Sequence, residues 1–141
     1  MNILKIRTDK RETANFGEDE ASALLKKKGY KILERNKVER AGEIDIIACD
    51  DEYIVFVEVK TRKNGVANPY EPRAASSVTP EKQRRLISAA RGYLGRRPAE
   101  KRIRFDVIEV YYDTVGDKRR VCEINHLEGA FNMNTAKGYR R

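Results

Sequence analysis

The stretch from Gly42 to Arg62, GEIDIIACDDEYIVFVEVKTR, places Asp45, Glu58 and Lys60 inside two runs of Ile, Val and Phe joined by an acidic turn. A carboxylate in an apolar setting is costly enough that a protein neutralises it, pairs it or supplies a cation. Two carboxylates and a lysine on facing strands are what a divalent metal ion and an attacking water would require.

Strand periodicity says which of these groups share a surface. Side chains alternate faces with period two, so Ile54, Phe56, Glu58, Lys60 and Arg62 lie on one side and Tyr53, Val55, Val57 and Val59 on the other. In the preceding run Glu43, Asp45, Ile47 and Cys49 oppose Ile44, Ile46 and Ala48. A four-residue loop from Asp50 to Tyr53 pairs Cys49 with Ile54 and sets Asp45 opposite Glu58; a two-residue loop makes the two acids diagonal. A loop of odd length needs a bulge to keep them together. In the even registers both carboxylates face one side, with Cβ atoms about 5 Å apart when directly opposed, near enough for one Mg²⁺.

A third acid comes from the amino-terminal part. Between Thr13 and Lys28 the residues Ala14, Gly17, Glu18, Ala21, Leu24 and Leu25 recur at the spacing of one helix face, and Gly29 is placed to end the helix. Glu18 falls on the inward stripe, whereas Asp19, Glu20, Ser22, Lys26 and Lys27 fall on faces open to solvent. The expected neighbour is the sheet that carries Asp45 and Glu58; a border position, or a pair with Lys60, is the alternative.

The remaining elements follow from pattern and punctuation. Tyr30 to Asn36 reads as a first strand. After the two strands already described, Lys63 to Pro80 is a long connection rich in Gly, Asn, Pro, Ser and Ala, carrying Lys63, Tyr70 and Arg73; it is a segment that grips substrate or one that is simply mobile. Thr79 as N-cap and Pro80 at the first helical position announce a second helix that Gly95 stops after Leu94. Its apolar stripe is Leu86, Ile87, Ala90, Tyr93 and Leu94, extended by Gln83 toward the same site. Lys82, Arg84, Arg85 and Arg91 flank it, as phosphate contacts or as a solvated surface. Ile103 to Tyr112 suits an inner strand, Val115 to Lys118 a turn and Arg120 to Leu127 a last strand. The order α-β-β-β-α-β-β predicts an α/β fold with a mixed sheet flanked by helices.

Composition narrows the function classes. The 141 residues fit one domain, residues 1–141, with a core over about 12–127 and a basic tail at 128–141. Thirty Lys and Arg against 22 Asp and Glu give a net charge of +8, which suits a polyanionic partner as well as a merely solvated surface. No apolar run approaches a membrane span and no signal peptide is evident, so a cytoplasmic protein without a membrane partner is expected. Cys49 and Cys122 sit in strand-like runs without a CxxC or Cys/His cluster and read as buried free thiols. His126 is the sole histidine and reads as structural, and no Ser/His/Asp or Cys/His system can be assembled.

The motifs in order, Gly17-Glu18 with Ala21, GEIDIIA (residues 42–48), FVEVKTR (56–62), KQRRL (82–86) and RFDV (104–107), closely resemble those of the bacterial YraN-like proteins, an uncharacterised family. That pattern in turn resembles the PD-(D/E)XK nuclease superfamily, in particular the archaeal Holliday-junction resolvases. The resemblance covers roughly residues 12–112; Ile44 stands where the superfamily pattern has proline, and residues 65–80 fit it poorly. It implies a restriction-endonuclease-like fold, Glu18, Asp45 and Glu58 as ligands of Mg²⁺ or Mn²⁺, and Lys60 as the catalytic lysine. The expected activity is metal-dependent endonucleolytic cleavage of DNA, branched or junction DNA included, by a possible homodimer. In that mechanism the Val59 carbonyl joins the metal ligands and Gln83 looks into the site, while Arg62, Lys63, Lys82, Arg84 and Arg85 bind nucleic acid. The alternatives are a nucleic-acid-binding protein that keeps this fold without cutting, and an interaction protein in which the acids and Lys60 form a buried ionic cluster.

Overall fold

A computed structural model of the chain describes residues 3–64, 78–95 and 100–133. Helix α1 spans Ile3–Lys27, so it starts well before the apolar stripe that predicts it. Residues 3–12 are mostly Lys, Arg, Leu, Ile and Glu, good or adequate helix formers that prolong the helix. Strands β1 (Lys31–Glu39), β2 (Gly42–Cys49) and β3 (Tyr53–Lys63) follow, then α2 (Pro80–Leu94), β4 (Arg102–Val115) and β5 (Lys118–Phe131). The order is α-β-β-β-α-β-β in a single mixed α/β domain. Residues 65–77, including Tyr70 and Arg73 of the long connection, lie outside the described residues, as do 134–141 of the basic tail.

The five strands form one sheet in the order β1-β2-β3-β4-β5. Pairing is antiparallel except between β3 and β4, which run parallel from Tyr53↔Arg102 to Lys63↔Tyr112 and need α2 as their crossover. The two helices cover opposite faces. Leu86, Ile87 and Ala90 of α2 pack with Ile47, Phe56, Phe105 and Val107. Ala21 and Leu25 of α1 pack with Ile46, Val55, Val57 and Ile108 on the other face.

The punctuation residues act as their chemistry requires. Thr79 accepts a hydrogen bond from the Lys82 N–H at 3.2 Å, Pro80 opens α2, and Gly95, at φ 62°, donates its N–H to the Arg91 carbonyl at 2.9 Å. Cys49 pairs with Ile54, the register that the longer acidic turn predicts. In that turn Asp50 accepts from the N–H groups of Glu52 (2.9 Å) and Tyr53 (2.7 Å).

Two expectations are corrected. Strand β5 runs on to Phe131 through residues 128–131, which the sequence pattern assigns to the tail; Phe131 stacks on Phe105 at 5.2 Å and so buries the strand's end. The thiols are not buried: Cys49 is partly exposed and Cys122 exposed, although both are free. Among the described residues no helix is long and apolar enough to cross a membrane.

The approach of α1 to β3 is set at Gly17. A Cβ there would overlap Thr61 Oγ1 and come within 2.9 Å of Thr61 Cβ, so a hydrogen is all the space admits. Glu18, the next residue, is buried with Arg35 and Asn36 of β1 as its neighbours.

Candidate active site

The ladder between β2 and β3 is recorded from Cys49↔Ile54 to Ile46↔Val57, and the same register would next bring Asp45 opposite Glu58. The Asp45 Oδ2 instead accepts a hydrogen bond from the Val59 N–H at 2.8 Å. Regular alternation also fails around this residue. Ile44 packs in the cluster beneath α2 with Ile47, whereas Ile46 packs beneath α1, so the grouping of Ile44 with Ile46 expected from period two does not hold. Asn36, which falls opposite Asp45 between the pairs Arg35↔Ile46 and Lys37↔Ile44, has φ 51°, so the sheet is irregular at this point.

Asp45 is held among negative charges. Burial comes first and the Glu58 carboxylate second in pushing its pKa up to about 8; the Val59 N–H works in the opposite direction, and Glu18 and Glu43 add to the rise. The Lys60 ammonium lies 3.5 Å from Glu58 Oε1. Asp45 and Glu58 thus come together with Lys60 beside them.

Glu18 reaches the same electrostatic cluster from α1. It is 7% exposed, and its Oε1 is buried without a hydrogen-bond partner. The Arg35 guanidinium stands 3.9 Å from that oxygen, beyond hydrogen-bonding distance, and forms its close ion pair with Asp19 at 2.8 Å. Burial raises the Glu18 pKa; Asn36 and Arg35 oppose the rise, and Glu43 and Asp19 reinforce it. Ser22, expected on a solvated face, is buried one turn further along.

The cations assigned to nucleic acid divide into groups. Lys82, in the first turn of α2, has its side-chain nitrogen against that of Lys60; donation from the Lys60 ammonium to the neutral Lys82 amine, together with the Lys60 charge, lowers the Lys82 pKa, and Glu58 acts in the other direction. Arg85 is exposed and its aliphatic stem lies over Gly42, where a Cβ would come within 2.9 Å of Arg85 Cδ. Arg84 is exposed on α2, and Arg62 and Lys63 occupy the end of β3, partly buried and exposed respectively. Gln83 turns its side-chain amide back to the Val78 carbonyl at 2.9 Å, a local bond that tethers the start of α2.

Three acids escaped the sequence argument. Glu43 adds charge to both Asp45 and Glu18. Glu109, 1% exposed, lies in register with Lys60 across the parallel pair and accepts from the Tyr111 hydroxyl at 3.1 Å. Asp106 is wholly buried and accepts from Arg104 Nε (2.8 Å) and Nη2 (2.9 Å), from His126 Nε2 (2.7 Å) and from the Gly129 N–H (2.9 Å). An acid inside an apolar strand, the same signal that singled out Asp45 and Glu58, marks Asp106 and Glu109 in RIRFDVIEV. His126 has the structural role expected of it. The Lys28 ammonium can only donate to Nδ1 (2.8 Å), which fixes the proton on Nε2 facing Asp106.

As a metal site the donors are open. Among the described residues no three Asp, Glu, His or Cys groups stand together as a cage. Magnesium is held in many sites by one or two carboxylates, with waters and substrate phosphate completing the octahedron. Asp45 and Glu58 fit that requirement as a pair, and the orphaned Glu18 oxygen fits a water-mediated donor.

The model of the uncharacterised protein family UPF0102 matches residues 17–110, a span that holds Glu18, Asp45, Glu58, Lys60 and Lys82. The chain is similar to a UPF0102 protein of Clostridium perfringens, 46% identical over 120 residues, covering 84% of this chain and 92% of the relative. It is similar as well to a UPF0102 protein of Caldicellulosiruptor saccharolyticus, 44% identical over 124 residues, 87% of this chain and 99% of the other. A third, from Herminiimonas arsenicoxydans, is 44% identical over 104 residues, 74% of this chain and 81% of that one.

Proposed function

The chain belongs to the uncharacterised protein family UPF0102, and we propose that it is a metal-dependent nuclease that hydrolyses phosphodiester bonds in DNA. The observation that carries this reading is the meeting of Asp45, buried and bonded to the Val59 N–H, with Glu58 and the Lys60 ammonium 3.5 Å from it; burial and Glu58 raise the Asp45 pKa to about 8, a conflict that a divalent cation would relieve. A net charge of +8 suits the phosphate backbone as substrate.

Asp45 and Glu58 would hold Mg²⁺ or Mn²⁺, with the Val59 carbonyl within the same turn of chain and Glu18 acting through water. When bound, the ion offsets the two carboxylates, acidifies a water and draws charge from the phosphate. Lys60 orients the attacking water and assists its deprotonation, and it stabilises charge on the scissile phosphate. Lys82, against Lys60, adds a second positive group at the same point. Glu58 keeps the Lys60 ammonium in place at 3.5 Å. Arg62, Lys63, Arg84 and Arg85 carry the flanking phosphates. Branched DNA as substrate, a homodimer as the working unit and a cytoplasmic location complete the reading and rest on the family resemblance and composition.

The test is a panel of labelled duplex, single-stranded, flap and four-way DNAs incubated with Mg²⁺ or Mn²⁺, beside a calorimetric Mn²⁺ titration. Wild type is expected to bind the ion and cut a member of the panel, and Asp45→Ala to do neither while still binding DNA. A folded wild type that binds Mn²⁺ and DNA yet cuts nothing would return the protein to the class of non-cleaving binders.

A further inference from the structure

Among the described residues, two buried side-chain atoms have no hydrogen-bond partner within the fold: Glu18 Oε1 and Ser22 Oγ. The residues are 7% and 4% exposed, so bulk solvent serves neither atom. They stand four positions apart in α1, in one row of the helix surface, where Cβ atoms lie about 5–6 Å from each other. The neighbouring rows are accounted for. Gly17 abuts Thr61 of β3, and Ala21 and Leu25 pack into the apolar cluster with Ile46, Val55 and Ile108. Glu18 instead meets β1, whose Arg35 and Asn36 flank its carboxylate. Neither completes the match. Arg35 stands 3.9 Å from Oε1 and is engaged with Asp19 at 2.8 Å, and the hydrogen bond from Asn36 leaves Oε1 unserved.

We propose that Ser22 is a positioning residue for Glu18, joined to it through one buried water, and that the pair aims the carboxylate at the cation of Asp45 and Glu58; this last part rests on the nuclease reading. Folded proteins match nearly all of their buried polar atoms, and those the chain does not match are bound by water or an ion. A carboxylate oxygen only accepts, whereas a hydroxyl donates as well. One water therefore serves both atoms, accepting from the Ser22 hydroxyl and donating to Glu18 Oε1, over a span of two hydrogen bonds of about 2.8 Å each. The link reaches the acid cluster because Glu18 and Asp45 act on each other through their charges. Outer partners of a metal site fix the orientation of its carboxylates, and losing one weakens the metal without removing a ligand. Serine supplies that partner in a row of α1 that alanine would fill equally well for packing alone.

The experiment is a double-mutant cycle of Ser22→Ala and Glu18→Met, read by thermal melts in EDTA and by calorimetric titration with Mn²⁺. Alanine suits a helix better than serine, and a hydroxyl without a partner gains nothing from burial, so a solitary Ser22 replaced by alanine would raise the melting temperature. With Glu18 present, Ser22→Ala is expected to lower it and to weaken Mn²⁺ binding about tenfold. Ser22→Cys, close to serine in size but a weak donor, should weaken Mn²⁺ to the same extent. In the Glu18→Met background, which has no oxygen to serve, Ser22→Ala is expected to raise the melting temperature and to leave Mn²⁺ affinity within twofold. Equal effects in the two backgrounds, or wild-type Mn²⁺ affinity in Ser22→Cys, overturn the link. If Glu18→Met fails to fold by circular dichroism, the sign of the Ser22→Ala shift decides. Coupled melting shifts in a protein that binds no Mn²⁺ remove the nuclease reading and leave the link between Ser22 and Glu18 standing.

Discussion

Asp45 Oδ2 and the Val59 N–H meet at 2.8 Å just beyond the last recorded pair of the β2–β3 ladder. One hydrogen bond is thereby directed to a carboxylate that burial and Glu58 otherwise disfavour. The site thus carries a charge conflict when metal is absent, and that conflict has consequences for stability and for catalysis.

The first consequence is a pH dependence of known sign. Asp45 titrates at 3.8 when unexposed to the fold and at about 8 within it. The folded state therefore holds the proton more tightly; the associated stability is fully present below pH 3.8 and is lost as pH rises through the window to 8. Asp45→Asn keeps an oxygen for the Val59 N–H and removes the conflict. In EDTA above pH 8 it should melt several degrees higher than wild type, a gain of about 1 kcal/mol or more, and the gain should vanish near pH 4. Thermal melts across this range check it, and Mn²⁺ should raise the wild-type melting temperature increasingly with pH while leaving the variant unmoved.

The second concerns Lys60. Its ammonium lies 3.5 Å from Glu58 Oε1, and in the proposed mechanism it acts on the attacking water without being a metal ligand. Lys60→Met should reduce the cleavage rate by about 10²–10⁴-fold while Mn²⁺ affinity, read by calorimetry, is retained or improved. Lys60→Arg should restore little, since a planar fork does not reproduce a compact ammonium beside Lys82. Loss of metal binding in Lys60→Met would move the residue from catalysis to assembly of the site.

The third tests how α1 delivers Glu18. An alanine is favoured over glycine by about 1 kcal/mol within a helix. At Gly17, however, its Cβ would overlap Thr61 Oγ1. Overpacking should win, and Gly17→Ala is expected to destabilise the protein by about 1–3 kcal/mol in urea unfolding. Gly17→Ala combined with Thr61→Ala should recover part of that loss, because Oγ1 and Cγ2 of the threonine are removed while its Cβ, 2.9 Å away, remains.

What the sequence discloses divides by range of interaction. The α2 cap and the stop at Gly95 are local, and turn chemistry foretells both; the acidic turn allows two even registers, of which the structure adopts the one that pairs Cys49 with Ile54. The approach of Glu18 to Asp45 was foretold by its stripe alone, but the glycine beside it needed Thr61 of a distant strand to acquire meaning. Lys82 reads as a phosphate contact or a solvated flank of α2; that it stands against Lys60 emerges only when α2 crosses the sheet. Residues 128–131 look like a tail because Glu128 and Gly129 interrupt the alternation; only the stacking of Phe131 on Phe105 makes them strand. Asp106 and Glu109, acids within the apolar run of β4, carry the same signal in the sequence as Asp45 and Glu58.

Asp106 supplies the last prediction, with the opposite sign to Asp45. Burial works against its charge, but bonds from His126 and Arg104, reinforced by the Gly129 N–H, hold its pKa below 3.8. Its stability is therefore present above pH 3.8 and lost as pH falls through that value. Asp106→Ala would strand the Arg104 guanidinium, which is largely buried, and leave His126 Nε2 unmatched, at a cost of about 3–5 kcal/mol. Asp106→Asn should cost less near neutral pH, and it should abolish the acid-side loss that wild type shows. Urea unfolding of both variants near neutrality and below pH 3.8 reads these effects. Because the network of Asp106, Arg104 and His126 includes none of the groups that raise the Asp45 pKa, Mn²⁺ affinity in folded Asp106→Asn should equal that of wild type. A fall in that affinity would show that the two acidic clusters are energetically coupled through β4.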